Sequence, residues 1–307
     1  LRALTVFAVV LAINIPASLI QRVQLGMQQG YWNGIAQFIG ALITLAAVPL
    51  VLHIGGDVAA LVLATLGVQA CVNIVNTVIW LRRSEILRGE GWRDSLDVPT
   101  VQALLRAGSV FFLLQLSAAF AFHSDAIVIT QVLGQAAYGD FAVVQRLFLF
   151  VSMLMSAAMV GLWPAFGDAL ARDNKAWAVK TLQRGMVVAV SLGLLAAGTL
   201  AALMPWILEY WLRSPIDLKW GLVLALATWT VIDAVASVAA AFMNGANILR
   251  AQLLLAIGMA SLAFAGKWLL TPAMGPTGAV MATIAAYCLI SVPGLIFIFK
   301  RALQPKS

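Results

Sequence analysis

The sequence predicts an all-α fold, a polytopic transmembrane helical bundle, and three observations predict it. Hydrophobic residues make up 63% of the chain and charged residues only 10%, with a mean hydropathy of +0.98. A soluble domain carries about 25% charged residues, so 19 basic and 12 acidic residues over 307 positions cannot clothe a water-facing surface. Apolar runs of the ~20 residues needed to cross ~30 Å of hydrocarbon recur nine times. The basic residues gather in alternate gaps between those runs, as the positive-inside rule requires.

The nine spans fall at 3–21, 32–52, 58–81, 108–133, 139–162, 186–208, 221–243, 251–270 and 278–299. The longest polar interruption, 82–106, reads as a cytoplasmic linker, and its end from about Pro99 reads as a short amphipathic surface helix. The second interruption is 163–185. These breaks divide the chain into 1–81, three spans forming half of an N-terminal bundle, the linker 82–106, and 107–307, a C-terminal six-helix bundle.

One set of gaps holds Arg22, then Arg82, Arg83, Arg88, Arg93 and Arg106, then Arg172, Lys175, Lys180 and Arg184, then Arg250, then Lys300, Arg301 and Lys306. The opposite side holds only Arg2, Arg213 and Lys219, while Arg146 and Lys267 lie within spans. The excess makes the first side, and the C-terminus with it, cytoplasmic. Because the basic residues are scattered among gaps and form no patch or stripe, the net charge of +7 reports orientation and not nucleic-acid binding. Trp32, Trp80 and Trp163 mark cytoplasmic span ends, and Trp206, Trp211, Trp220 and Trp268 the outer ends, the interfacial belt expected of indole rings.

Nine spans with an inside C-terminus place the N-terminus outside, and three further helices upstream would restore a cytoplasmic start. The chain therefore reads as nine spans of an expected twelve. Spans one to three and seven to nine also run in step. Ala17-Ser18 aligns with Ala236-Ser237, Gly26 with Gly245, Gly56 with Gly275 and Arg82 with Arg301 without a gap, a pattern compatible with a two-lobe repeat.

Inside the spans the few polar residues fall on shared helix faces, at i, i+4 and i+7. The first span carries Asn14, Ser18 and Gln21, the second Asn33, Gln37 and Thr44, and the third Gln69, Asn73 and Asn76. The seventh carries Trp229, Thr230, Asp233, Ser237 and Asn244, and the ninth Thr283 and Tyr287. Such stripes serve either as hydrogen-bonding glue between helices or as the lining of a shared hydrated cavity, and five of them together favour the cavity.

Charges within the membrane cost at least ~2.5 kcal/mol each on insertion scales and so demand a reason. Asp125 and Asp233 are the two clear carboxylates, with His123 and Arg146 near Asp125 in sequence. Asp125 and Arg146 lie about equally far from the hairpin turn at Gly134–Gly139, so a rise of about 1.5 Å per residue puts them at similar depth and predicts a pair across the hairpin. A structural pair and a role in substrate or proton handling both stay open. His123 is turned roughly 200° from Asp125, so the two are not expected to share a cavity. Ala118 and Ala121, on the Asp125 face, invite close approach of another helix. Lys267 and Arg22 lie near span ends, where long basic side chains snorkel to the interface. Pro16, Pro49, Pro205 and Pro293 are expected to interrupt or bound helices.

No phosphate-binding loop is present. Cys71 and Cys288 lie far apart in apolar runs, where packing is the expected role, and two His with two Cys give no metal-ligand spacing. No nucleophilic triad or carboxylate pair suited to glycoside chemistry is visible, so the sequence predicts a non-enzymatic protein without a cofactor.

Three segments, IQRVQLGMQQGYWN (20–33), HSDAIVITQVLGQAAYGDFAVVQRLF (123–148) and WPAFGDALARDNKAW (163–177), resemble the polysaccharide-unit and O-antigen flippase family. That family lies within the superfamily that includes the MATE-type multidrug exporters. The chain resembles helices four to twelve of that fold. The resemblance implies a bacterial inner-membrane transporter with two helical lobes. It would move undecaprenyl-diphosphate-linked oligosaccharide from the cytoplasmic to the periplasmic leaflet, among membrane lipids and alongside a polysaccharide polymerase and a chain-length regulator. It makes Arg146, Arg22 and Lys267, with Asn73, Asn76 and Gln37, candidates for holding the diphosphate and sugars. Asp125, Asp233 and His123 become candidates for ion coupling. An ion-coupled drug or cation antiporter of the MATE type is the alternative, and a membrane-embedded glycan polymerase or ligase a more distant one.

Overall fold

The computed structural model describes residues 2–83, 98–212 and 219–303. Arg88, Arg93, Arg213 and Lys306 of the charge alternation, and most of the predicted linker, lie outside them. Among the described residues there is no strand, and nine helices are long and apolar enough to cross a membrane. These are α1 (Arg2–Gly26), α2 (Gly30–His53), α3 (Val58–Arg83), α4 (Val98–Leu133), α5 (Gln135–Ala171), α6 (Lys175–Tyr210), α7 (Trp220–Gly245), α8 (Leu249–Met274) and α9 (Pro276–Arg301). Each of the nine predicted spans lies within one of them. The all-α polytopic architecture is therefore the observed one.

Several helices run further than their apolar cores. Helix α4 begins at Val98 and continues unbroken to Leu133, so the residues from Pro99 onward are the first turns of the span and not a separate surface helix. Proline is tolerated in a first turn because its missing N–H is unpaired there anyway. Likewise the interruption at 163–185 is mostly helical. Leu162–Ala171 extends α5 past a break at Val160–Gly161, and α6 starts at Lys175 after a turn in which Asp173 takes a φ of 56°.

The prolines divide in effect. Pro16 is followed two residues later by a break at Ser18, whose hydroxyl donates to the Ile15 carbonyl at 2.8 Å. Pro49 and Pro205 sit inside continuous helices. Among the described residues, two helices contain a wide π-helical turn, Leu63–Gly67 in α3 and Tyr287–Ser291 in α9. Such turns are concentrated at functional positions in proteins generally.

The chain packs as two compact units, Leu1–Val101 and Gln102–Ser307. In the first, α1, α2 and α3 all pack on one another. Their outward faces carry Leu4, Phe38 and Leu45, 65–72% exposed, while Gln24, Asn73 and Asn76 are buried. Polar inside and apolar outside is the arrangement that a lipid solvent favours.

The second unit is built round α7, which packs on α5, α6, α8 and α9. One core joins Ile129, Phe141, Val144 and Phe148 to Met204, Val223 and Leu226. A second gathers Phe166, Leu182, Ala234, Val238 and Phe242, with the rings of Phe166 and Phe242 edge to face at 5.4 Å. Helices α8 and α9 approach each other closely. They are joined through Gly275 at φ 64°, and a Cβ on Gly278 would lie 2.3 Å from the Leu270 carbonyl oxygen. Trp206, Trp220 and Trp268 are exposed at helix ends, as interfacial indoles are. Cys71 and Cys288 are exposed too, so neither fills a core; the apolar solvent outside the helices accounts for them equally well.

Candidate functional site

The polar stripes resolve differently in the two units. In the first they bond to one another. Asn73 Nδ2 donates to Asn14 Oδ1 at 2.8 Å, and Asn73 Oδ1 accepts from Gln21 at 2.8 Å and from Gln37 at 3.1 Å. Gln37 also reaches Asn33 at 3.4 Å and accepts from Gln69. One step along, Gln24 and Asn76 pair through both ends of their amides. Three of the predicted binding residues, Asn73, Asn76 and Gln37, are thus engaged in tying α1, α2 and α3 together. Here the glue reading of the stripes is the one the hydrogen bonds support.

In the second unit Trp229, Thr230, Asp233, Thr283 and Tyr287 of the stripes line cavities. The first cavity, of about 240 Å³, lies among α4, α7, α8 and α9, with Ser117, Phe122, Trp229, Asp233, Gln252, Tyr287 and Ser291 on its walls. Both ends of the α9 π-turn, Tyr287 and Ser291, face it. The Gln252 Oε1 atom is buried with no hydrogen-bond partner, leaving an acceptor for whatever enters. The second cavity, also about 240 Å³, lies among α4, α5, α7 and α9 and is lined by His123, Asp125, Gln145, Ser152, Thr230 and Thr283. Phe122 and Trp229 line both. Their ring centroids are 5.7 Å apart, and Tyr287 stands edge-on to Trp229 at 5.9 Å. The two rings form a shared partition. Ser152, on the second cavity, lies close to Asp233 on the first.

The buried charges are arranged otherwise than the sequence predicted. Asp125 is 6% exposed and pairs with Lys267, Nζ to Oδ1 2.7 Å. Lys267 does not snorkel, being fully buried. It reaches α4 because Ala121 packs with Met259, Ala260 and Ala263 of α8, so the small-residue face does admit a neighbouring helix. Lys267 also donates to the Ala121 carbonyl and, at 3.0 Å, to Ser124 Oγ.

Arg146, the partner expected from depth, is exposed on the side of α5 that carries Phe150 and Met153. Its neighbour Gln145 occupies the inward position and donates to Asp125 Oδ2 at 3.4 Å. The depth argument fixed the level of Arg146 and missed its direction by one residue, or about 100° of helix. The expectation that His123 and Asp125 cannot share a cavity is also corrected. Both line the second one, which wraps far enough round α4 to meet two faces. Arg22 is exposed on α1.

Gln24, Gln145, Gln252 and Thr271 were not singled out from the sequence. Gln145 sits beside Arg146, and Gln24 two positions from Arg22, so the charged neighbours are the more conspicuous. The signal that could have found Gln24 is its place three residues after Gln21, on the same face. Comparison with protein-family models, with curated proteins and with solved structures finds no match to the chain.

Proposed function

We propose that the protein is an ion-coupled transporter of the bacterial inner membrane, not an enzyme, and that it moves undecaprenyl-diphosphate-linked oligosaccharide units to the periplasmic leaflet for surface polysaccharide synthesis. The observation that carries the transport part is the pair of cavities lined by Trp229, largely apolar but each with a carboxylate on its wall, Asp233 in the first and Asp125 in the second. A bilayer-spanning bundle that needed only to be stable would fill such space with apolar side chains, since unsatisfied polar groups in hydrocarbon cost several kcal/mol each. The cargo rests on the resemblance of segments 20–33, 123–148 and 163–177 to the flippase family.

Deletion of the reading frame in a polysaccharide-producing host should abolish surface polysaccharide and leave lipid-linked units in the inner membrane. Restored surface polysaccharide on complementation completes the test, while an unchanged surface in the deletion strain would remove this cargo. The orientation follows from the basic gaps. A fluorescent-protein fusion at the C-terminus should fluoresce, and an alkaline phosphatase fusion there should be inactive.

One observation favours a second reading, a MATE-like cation antiporter. The first cavity sets Asp233 beside Trp229, Tyr287 and Phe122, a carboxylate and aromatic faces of the kind that attract organic cations. Dye efflux and drug resistance on expression, with polysaccharide unaffected, would select it.

A further inference from the structure

Lys267 reaches three oxygen atoms of α4. Its ammonium group donates to Ser124 Oγ and to the Ala121 carbonyl, and it is ion-paired at 2.7 Å with Asp125 Oδ1, an atom that has no hydrogen-bond partner. All three oxygens come from one stretch of α4, 121–125, where a carbonyl, a hydroxyl and a carboxylate are presented to the same side. The Ser124 hydroxyl, itself donating to the Ala121 carbonyl at 3.1 Å, is left free to accept from the ammonium. This donor set is all oxygen and carries a single negative charge. Hard cations take oxygen ligands, carboxylates and carbonyls foremost. One turn further along α8, Thr271 is fully buried with no hydrogen-bond partner for Oγ1.

We propose that Lys267 is a tethered cation, its ammonium filling a monovalent-cation site formed by the Ala121 carbonyl, the Ser124 hydroxyl and the Asp125 carboxylate. The lysine stem enters from α8 and delivers the charge that a dissolved ion would bring. In the wild-type protein Asp125 is therefore closed to solute ions, and an ion-coupled cycle would have to use Asp233. Shortening Lys267 empties the cage and leaves a buried carboxylate with no counter-charge, which a small inorganic cation then supplies. A lysine that merely pinned α4 to α8 would leave no such site behind. The proposal is independent of the cargo, so its failure and that of the flippase reading are separate events.

Two measurements test it. In wild-type protein in nanodiscs, dicyclohexylcarbodiimide followed by peptide mass spectrometry should modify Asp233 and spare Asp125; modification of wild-type Asp125 overturns the proposal, whatever the variants do. Thermal unfolding of Lys267→Ala is then compared in sodium, potassium and N-methylglucamine chloride at one ionic strength. A saturable rise in Tm on the order of 5 °C is expected in sodium or potassium but not in N-methylglucamine, and it should vanish in Lys267→Ala/Asp125→Asn. Wild type should show no difference among the salts. A folded Lys267→Ala with one Tm in all three overturns the proposal. If that variant does not fold, Lys267→Ser, whose short polar side chain leaves the cage empty, takes its place under the same criterion.

Discussion

Gln24 and Asn76 exchange two hydrogen bonds, Gln24 Nε2 donating to Asn76 Oδ1 at 3.0 Å and Asn76 Nδ2 to Gln24 Oε1 at 3.1 Å. The pair joins α1 to α3 with both residues buried. In a membrane such bonds are worth about 0.6 kcal/mol on average and about 1.7 at most. They remain worthwhile because lipid offers the amides no other partner.

Gln24→Leu and Asn76→Leu should each lower stability by about 1 kcal/mol. The double variant should lose clearly less than their sum, because two apolar side chains leave no amide unpaired. Reversible unfolding in mixed micelles measures all three. Strict additivity would mean that the amides do not depend on one another.

Asp125→Asn should cost about 3–5 kcal/mol, since it leaves the Lys267 ammonium buried without its counter-charge. Asp125→Asn/Lys267→Met removes both charges and should recover most of that loss. The same unfolding measurement decides it, and a double variant no better than the single would show that the charges are not coupled.

Gly278→Ala and Gly198→Ala should separate sharply. At Gly278 an added Cβ meets the Leu270 backbone at 2.3 and 2.5 Å, whereas at Gly198 nothing lies within 4 Å. The first should lose about 1–3 kcal/mol through forced displacement of backbone. The second should be neutral or slightly stabilising, as alanine is the better helix former. Similar Tm values for the two would contradict the close α8–α9 contact.

Trp229→Ala should merge the two cavities. In a background lacking Cys71 and Cys288, Thr283→Cys reports on the second cavity. Its labelling by a small thiosulfonate should quicken several-fold when Trp229 is removed. An unchanged rate would mean that reagent reaches Thr283 without passing the partition.

How much of this was legible follows from what each kind of residue answers to. Span positions were legible because hydrocarbon thickness imposes one length on every helix, and the apolar runs around Leu45, Val188 and Leu262 satisfy it locally. Partners were not legible in the same way. Asp125 could be assigned a depth, which pointed to Arg146, but depth leaves direction open, and Gln145 faces inward in its place. The true partner, Lys267, lies 146 positions beyond Ala121, and no local rule links them. Ala121 itself was the useful clue, since a small residue beside a buried acid marked where another helix would come close. For Asn73 and Gln37 the pattern was seen correctly while its purpose divided: the same kind of stripe that binds helices together in the first unit opens onto space in the second.

The wide turn at Tyr287–Ser291 has a consequence for insertions and deletions. A π-turn holds one residue more than α-helical winding needs, so the segments before and after it keep the faces they would present without it. Removing one residue there relaxes the turn to ordinary winding and leaves Thr283 and Gly294 pointing as before. A deletion in the regular part of α9 has no such slack, and swings everything beyond it by about 100°. That single turn is where this helix can change length without changing its register.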